Sequence, residues 1–422
     1  MTSLAFAALW IFVFSIPWEN VVVISGVGAI SKVTGMLALG LVLLAAVMSG
    51  RLRRWHASHV AALLFVIWAG CGLLYLGLVG GLPRKFWTFV QLFLVLVMIW
   101  ELAPSWRRLL GLLTAYVLGA YVAALDTIVV YRREGAALRR FAAAGFDPND
   151  LAMTLALALP MAWYLGMTYR QPLLRWVCRG YLPVSLVALG LTGSRGGMLA
   201  SMVALLIVPL TMTKLSPGRL AAGILLLGLS GALAVAYTPK TAMERLASTG
   251  SEVQGGDLGN RLHIWKAGME AFTKQPVMGY GTARFKQAVA PRLGAASQVA
   301  HNSFLSVLVE EGAVGLLLYA TIFVGVFLAV LRLPPLERRF GLVLLATLGV
   351  AMLPLTWEDS KPVWFIVGAL LGLSHAQVAG MGGAVRPQTL NRTAPLVRPP
   401  VTARPRQPMP APSRSADRDA RA

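Results

Sequence analysis

Residues 312–333 read GAVGLLLYATIFVGVFLAVLRL, an apolar run with no charge before Arg332. An α-helix rises about 1.5 Å per residue, so a run of this length can cross a hydrocarbon core roughly 30 Å thick. Comparable runs occupy 3–18, 33–48, 60–79, 86–102, 109–131, 150–169, 181–193, 196–213, 219–237, 340–357 and 363–378, the seventh of them short. Hydrophobic residues make up 57% of the 422 and charged residues 13%, against about a quarter charged in a soluble protein. The pattern predicts an all-α polytopic membrane protein with about twelve transmembrane helices.

Charge placement gives these helices a direction, because Lys and Arg in short loops favour the cytoplasmic side. With the N-terminus inside, cytoplasmic loops hold Arg51, Arg53, Arg54, Arg107, Arg108, Arg170, Arg175, Arg179, Lys214, Arg219, Arg332, Arg338 and Arg339. Fewer basic residues fall on the other side, among them Lys32, Arg84, Lys85, Arg140, Arg195 and Lys361. The bias puts both termini in the cytoplasm and residues 238–302 outside. A net charge of +21 would point to nucleic acid in a soluble protein, but here it is spread over loops on both faces, where headgroups and water explain it. Residues 1–378 form the membrane domain. Residues 379–422 are rich in Pro, Arg, Ala and Ser without helical or strand periodicity, so that cytoplasmic tail is expected to be disordered.

Two cysteines, Cys71 in a span and Cys178 in a cytoplasmic loop, are not expected to pair, and no zinc or haem spacing is present. No cofactor or bound metal follows from the sequence. The first apolar run lacks a basic start and a clear cleavage site, so it is expected to be retained.

Segment 238–302 is the longest interruption of the apolar pattern. Within it Leu262, Trp265, Met269 and Phe272 recur at helical spacing while Lys266, Glu270 and Lys274 fall elsewhere, which predicts an amphipathic helix. Asp257 or Asn260 can cap its start, and Pro276, Gly279 and Gly281 end it. Arg261 and Trp265, four apart, share a face. His301-Asn302-Ser303 then opens the next helix, with Asn302 or Ser303 as its cap. A histidine there meets the positive end of the helix dipole and tends to stay neutral, able to accept a proton.

Two turns lie on the same predicted face. Thr192-Gly193-Ser194-Arg195-Gly196-Gly197 leaves almost no loop between two spans, so Arg195 is held near the membrane surface, and its rigid donor fork suits phosphate. Gly145-Phe146-Asp147-Pro148-Asn149-Asp150 offers two acids and an amide, which could bind a divalent cation or, more simply, let Asn149 or Asp150 cap the next helix. Asp126 reads as the one acid well inside a span. His56, His59, His263 and His375 are weaker site candidates.

TGSRGG at 192–197, the R-x3-W pattern at 261–265 with P-x2-G-x-G at 276–281, and HNSFL at 301–305, in this order on one face, resemble the O-antigen ligase and polymerase superfamily of bacterial inner-membrane glycosyltransferases. That resemblance implies a GT-C-like helical fold with one large extracytoplasmic loop, acting at the periplasmic face on glycans carried by undecaprenyl pyrophosphate. It implies that Arg195 and Arg261 hold the pyrophosphate and that His301 assists the acceptor hydroxyl, with Trp265 and Asn302 beside the substrate. The reaction it implies is inverting and metal-independent. The acceptor is a second lipid-linked glycan in a polymerase, lipid A core or protein in a ligase; the Gly145–Asp150 turn resembles exopolysaccharide-associated members and tilts the reading toward polymerase. A polysaccharide flippase and a chain-length regulator are the partners such an enzyme would have. An anion transporter is the competing class. Against it stand the scarcity of ionisable residues inside spans and of paired broken helices.

The sidedness is testable. With Cys71 and Cys178 replaced, a single cysteine at position 250 should react with a membrane-impermeant thiol reagent in intact spheroplasts, and one at position 400 should not; equal labelling would overturn the arrangement.

Overall fold

The computed structural model describes residues 2–50, 52–75, 83–135, 140–212, 216–247, 261–294 and 298–378. The proposed tail, the Asp257 and Asn260 caps, and positions 250 and 400 lie outside these residues. Helices occupy every predicted apolar stretch: α1 (Thr2–Ser15), α2 (Ile30–Ser49), α3 (Ala57–Tyr75), α4 (Arg84–Leu102), α5 (Trp106–Glu134), α6 (Pro148–Thr168), α7 (Pro172–Thr192), α8 (Arg195–Leu205) with α9 (Ile207–Met212), and α10 (Pro217–Tyr237). Segment 238–302 contributes α11 (Lys240–Ala247), α12 (Arg261–Lys274) and α13 (Phe285–Leu293), and the chain continues through α14 (Ser303–Leu331), α15 (Pro335–Met352) and α16 (Lys361–Val378). The only strands among the described residues, Val23–Ile24 and Gly28–Ala29, pair as a small antiparallel hairpin, β1 and β2.

Among the described residues seven helices are long and apolar enough to cross a membrane, α3, α4, α5, α6, α8 continued by α9, α10 and α14; α1, α2 and α16 are shorter apolar helices. Helix α6 is the hub. It is buried over 89% of its apolar window, whereas α10 is buried over 11%, so α6 must be apolar all round, as DLAMTLALALPMAWYLG is, and α10 faces its surroundings. α5, α7, α8 and α15 pack around α6. Small residues bring the backbones close: Gly197 of α8 sits against Ala152 of α6. Tyr164 of α6 stacks on Phe340 of α15, with ring centroids 4.3 Å apart.

Two boundaries differ from the sequence reading. α7 starts at Pro172, so Arg175, Cys178 and Arg179 ride on a helix rather than in a loop. Proline is tolerated in a helix's first turn, and the basic residues lie in its early turns, where their long stems can reach outward. Both cysteines are free, Cys178 buried and Cys71 exposed.

The larger difference concerns 312–333. α14 begins at Ser303 and is interrupted at Gly312, whose backbone (φ 69°, ψ −173°) is not helical. The turn after α12 fills the interruption: Tyr280 N donates to Val309 O (2.9 Å), Gly281 N to Glu310 O (2.7 Å) and Ala313 N to Pro276 O (2.8 Å). Trp68 Nε1 of α3 donates to Glu311 O (2.8 Å). Backbone groups released by the break are thereby paired, which an apolar surrounding demands. Gly279 (φ 68°) and Gly312 meet backbone to backbone, and a Cβ on Gly312 would overlap the Val277 carbonyl. The glycines of 276–281 therefore do more than end a helix. Glu310 and Glu311 are consequently buried inside α14, so Asp126 is not the lone acid within a span.

α12 has the predicted extent, but its buried face is Ile264, Ala267, Gly268 and Ala271. Trp265 and Phe272 flank that face and Met269 is 46% exposed. Small residues won because α12 lies close on α14, with Gly268 against Leu305; periodicity favours bulky residues only where there is room for them.

Replacing Gly312 by alanine should destabilise the protein by about 3 kcal/mol or more, since a glycine-only conformation and a backbone overlap coincide. A lowered thermal unfolding midpoint of the purified protein is the expected result, and an unchanged midpoint would refute the sealed break.

Candidate active site

The residues singled out from the sequence collect at one end of the bundle, where α4, α6, α8, α14 and α16 begin and α5, α7 and α15 end. Asn149 ties two of the turns together. Its Oδ1 accepts from Arg140 Nη2 (2.7 Å) and from Ser194 Oγ (3.0 Å), while Arg140 Nε donates to Thr192 O (2.9 Å). Ser194 also caps α8 by accepting from Gly197 N (3.2 Å). This fixes the tight turn from which Arg195, partly buried, opens α8.

The cap of α6 is Asp147, not Asn149 or Asp150: its Oδ1 accepts from Asn149 N at 2.7 Å. Pro148 explains the choice, since proline belongs at the first helical position and so makes its predecessor the cap. Asp150 Oδ1 accepts from Trp357 Nε1 (3.0 Å). The three polar side chains of the turn thus have structural duties, which weakens the cation reading.

His301 stands just before α14 in a left-handed conformation (φ 45°). Its N–H donates to Thr356 Oγ1 (3.0 Å). Ser303 Oγ donates to Leu355 O (2.9 Å) and accepts from Trp357 N (2.8 Å), joining the start of α14 to the segment ahead of α16. Asn302 is the cap, accepting from Leu305 N (3.0 Å), and Trp265 Nε1 donates to Ala300 O (3.1 Å), fastening α12 beside His301. Partial burial, and then the positive charge of Arg261, hold the His301 imidazole below its ordinary pKa, while Asp147 pulls the other way. His301, Arg261 and Asp147 are accordingly electrostatic neighbours, with His301 neutral near pH 7.

A cavity of about 450 Å³ opens here. Its lining includes His301, Asp147, Asn149 and Asp150 together with Lys85, Lys286, Ser306, Glu310, Thr356 and Asp359. Arg195 and Arg261 are not among its lining residues; Arg195 follows the Ser194 that holds Asn149, and Arg261 begins α12.

Sequence reading missed the charged wall. Lys85 Nζ lies 2.8 Å from Glu310 Oε2 and 2.5 Å from Glu358 Oε1. Burial, opposed by the Lys85 ammonium and reinforced by Glu358 and Glu310, pushes Asp359 up to about 6. The available signal was the Glu310-Glu311-Gly312 triplet at the edge of an apolar run. The other histidines lie elsewhere: His59 and His375 pack on Trp100, at 4.6 and 4.8 Å between centroids. Trp100 is near the far end of α4, roughly 22 Å along the helix axis from Lys85. His263 is exposed on α12.

Residues 181–320 match the model of a family described as O-antigen ligase. The matched segment runs from α7 into α14 and contains Arg195, Arg261 and His301, so the chain is similar to that family over this part of its length. No curated protein matches the chain.

The electrostatic neighbours of His301 predict the sign of two shifts. Removing the Arg261 charge with R261Q should raise the pKa of His301 toward the ordinary imidazole range, and removing the Asp147 charge with D147N, which keeps a capping side chain, should lower it. The pH dependence of diethyl pyrocarbonate modification, mapped to His301 by mass spectrometry, reads both; shifts of the same sign would contradict this arrangement.

Proposed function

We propose that the chain is a membrane glycosyltransferase that moves a glycan from an undecaprenyl-pyrophosphate donor to an acceptor hydroxyl at the periplasmic face of the inner membrane. The observation that carries this reading is that His301 and the 145–150 turn line one cavity, with the 192–197 turn tied to that lining through Ser194 and Asn149 and the Arg261 charge acting on His301. In the reaction the acceptor hydroxyl attacks the anomeric carbon, its proton passes to the His301 imidazole, and the bond from that carbon to the pyrophosphate oxygen breaks with its electron pair leaving on the pyrophosphate. Arg195 and Arg261 neutralise the charge that grows there, which is where positioned donors lower a barrier most. A single displacement inverts the anomeric centre. Trp265 and Asn302 shape the site through Ala300 and the first turn of α14, and the indole face of Trp265 offers a sugar a stacking surface.

The acceptor that fits the polymerase reading is a second lipid-linked glycan; lipid A core or a protein is the ligase alternative. One observation speaks for the competing transporter class, namely the broken α14 with buried charges, features that mark ion and substrate pathways. The carbonyls exposed by the break are, however, taken by Tyr280, Gly281 and Trp68, and Lys85 is held by two carboxylates. The transferase reading accounts for the site more fully.

A purified-protein assay with a synthetic polyprenyl-pyrophosphate glycan tests it. Longer glycan is the polymerase product, and glycan on a second acceptor the ligase product. R195K and R261K keep the charge but lose the planar fork, so each should lower the rate by roughly 10- to 150-fold per charge-assisted hydrogen bond lost. H301A should lower turnover by about 10²- to 10⁴-fold with donor binding kept. Wild-type rates in the two lysine variants would remove the pyrophosphate role and reopen the transporter reading.

A further inference from the structure

The transfer chemistry leaves Lys85, Glu310 and Glu358 without a task, yet their side chains are only 12%, 4% and 0% exposed. Lys85 Nζ bridges both glutamates and donates to Ser306 Oγ (3.3 Å), and Ser306 Oγ donates to Glu358 Oε1 (2.6 Å). The Glu310 carboxylate reaches in a second direction: Oε2 accepts from Ala283 N (3.0 Å) and Oε1 from Phe285 N (3.2 Å). Next to it, Glu311 Oε1 accepts from Thr282 Oγ1 (2.7 Å). One carboxylate therefore binds α4, α14 and the strand of chain that enters α13.

Stability does not explain such a cluster. Buried ion pairs are often matched or exceeded in stability by apolar residues of similar size, and charges within an apolar bundle are costlier still. What the cluster does fix is a position. The segment at 282–285 leads into α13, whose Phe285, Ala288 and Val289 pack with Ile264, Ala267 and Ala271 of α12 and with Ala300 and Leu305 beside His301. Arg261 is the first residue of α12.

We infer that Lys85 and Glu310, braced by Glu358, are positioning residues: they latch α13 and, through it, α12 onto the start of α14, and so hold Arg261 in register with His301. This rests on the transferase reading for its consequence in catalysis, but the latch itself is a statement about where α12 sits. Lys85, Ser306 and Glu310 also line the cavity that His301 faces.

The test is a neutral variant, K85M/E310L/E358Q, in the full-length protein, read three ways. The thermal unfolding midpoint should fall modestly, because Asp359 loses the opposing Lys85 charge and the Ala283 and Phe285 N–H groups lose the Glu310 carboxylate, and it confirms that the other two readings are made on folded protein. The His301 titration, followed by diethyl pyrocarbonate modification and peptide mapping, should move upward toward the ordinary imidazole range as the Arg261 charge recedes. Turnover of a synthetic polyprenyl-pyrophosphate glycan should fall on the order of 100-fold, the scale on which a small misplacement acts, and K85R, which keeps both ion pairs, should retain most of it. An unchanged His301 titration in the neutral variant overturns the latch. Should that variant not purify, E310Q gives the same titration readout, with the same shift expected and an unchanged titration again overturning the latch. Because the titration needs no turnover, a failed transferase reading, shown by an active H301A, is distinguishable from a failed latch.

Discussion

A helix broken inside an apolar bundle exposes backbone donors and acceptors that have no water to turn to. The interruption of α14 at Gly312 is that constraint in this protein, and the 276–281 turn is its answer. The turn must reach the break with bare backbone, so glycine stands on both sides of the contact, at 279 and 312. Closing the break brings the segment after α12 down onto the bundle. α12 and α13 then have a surface to pack on, and the chain at 282–285 comes within reach of the buried carboxylates of α14.

The same contact organises the charges. Because α14 begins at Ser303 and only breaks at Gly312, Glu310 and Glu311 are carried into the bundle and need partners there. Lys85 at the start of α4 and Thr282 ahead of α13 supply them. A cation held by two carboxylates, a carboxylate saturated by two backbone N–H groups, and a hydroxyl bridging to Glu358 make a rigid wall beside the cavity. The same cavity is lined by a second network, in which Asn149 gathers Arg140 and Ser194 while Asp147 and Asp150 are tied to the backbone and to Trp357. His301 lines that cavity too, under opposing pulls from Arg261 and Asp147.

Much of this could be read from the residues. Apolar runs located the helices, because a helix surrounded by apolar groups must be apolar over its length. The three motifs with Arg195, Arg261 and His301 were visible because glycines, a helix cap and an arginine fork have local signatures. The family match over 181–320 rests on that same stretch. Where local rules competed, spacing alone chose wrongly. Pro148 moved the cap of α6 to Asp147, and close packing on Leu305 turned the small face of α12 inward although Met269 and Phe272 gave the stronger periodic signal.

What the sequence by itself determined was the helical class, the approximate extent of each helix and the residue types able to handle phosphate and a proton, since each depends on neighbours within a few turns. Tertiary structure decided which distant groups meet. That Lys85 faces Glu310 and Glu358, that Asn149 joins two turns, and that Trp265 fastens α12 beside His301 are pairings between residues far apart in the chain. No local periodicity encodes them, because a buried polar group requires a partner but does not specify from which helix that partner comes.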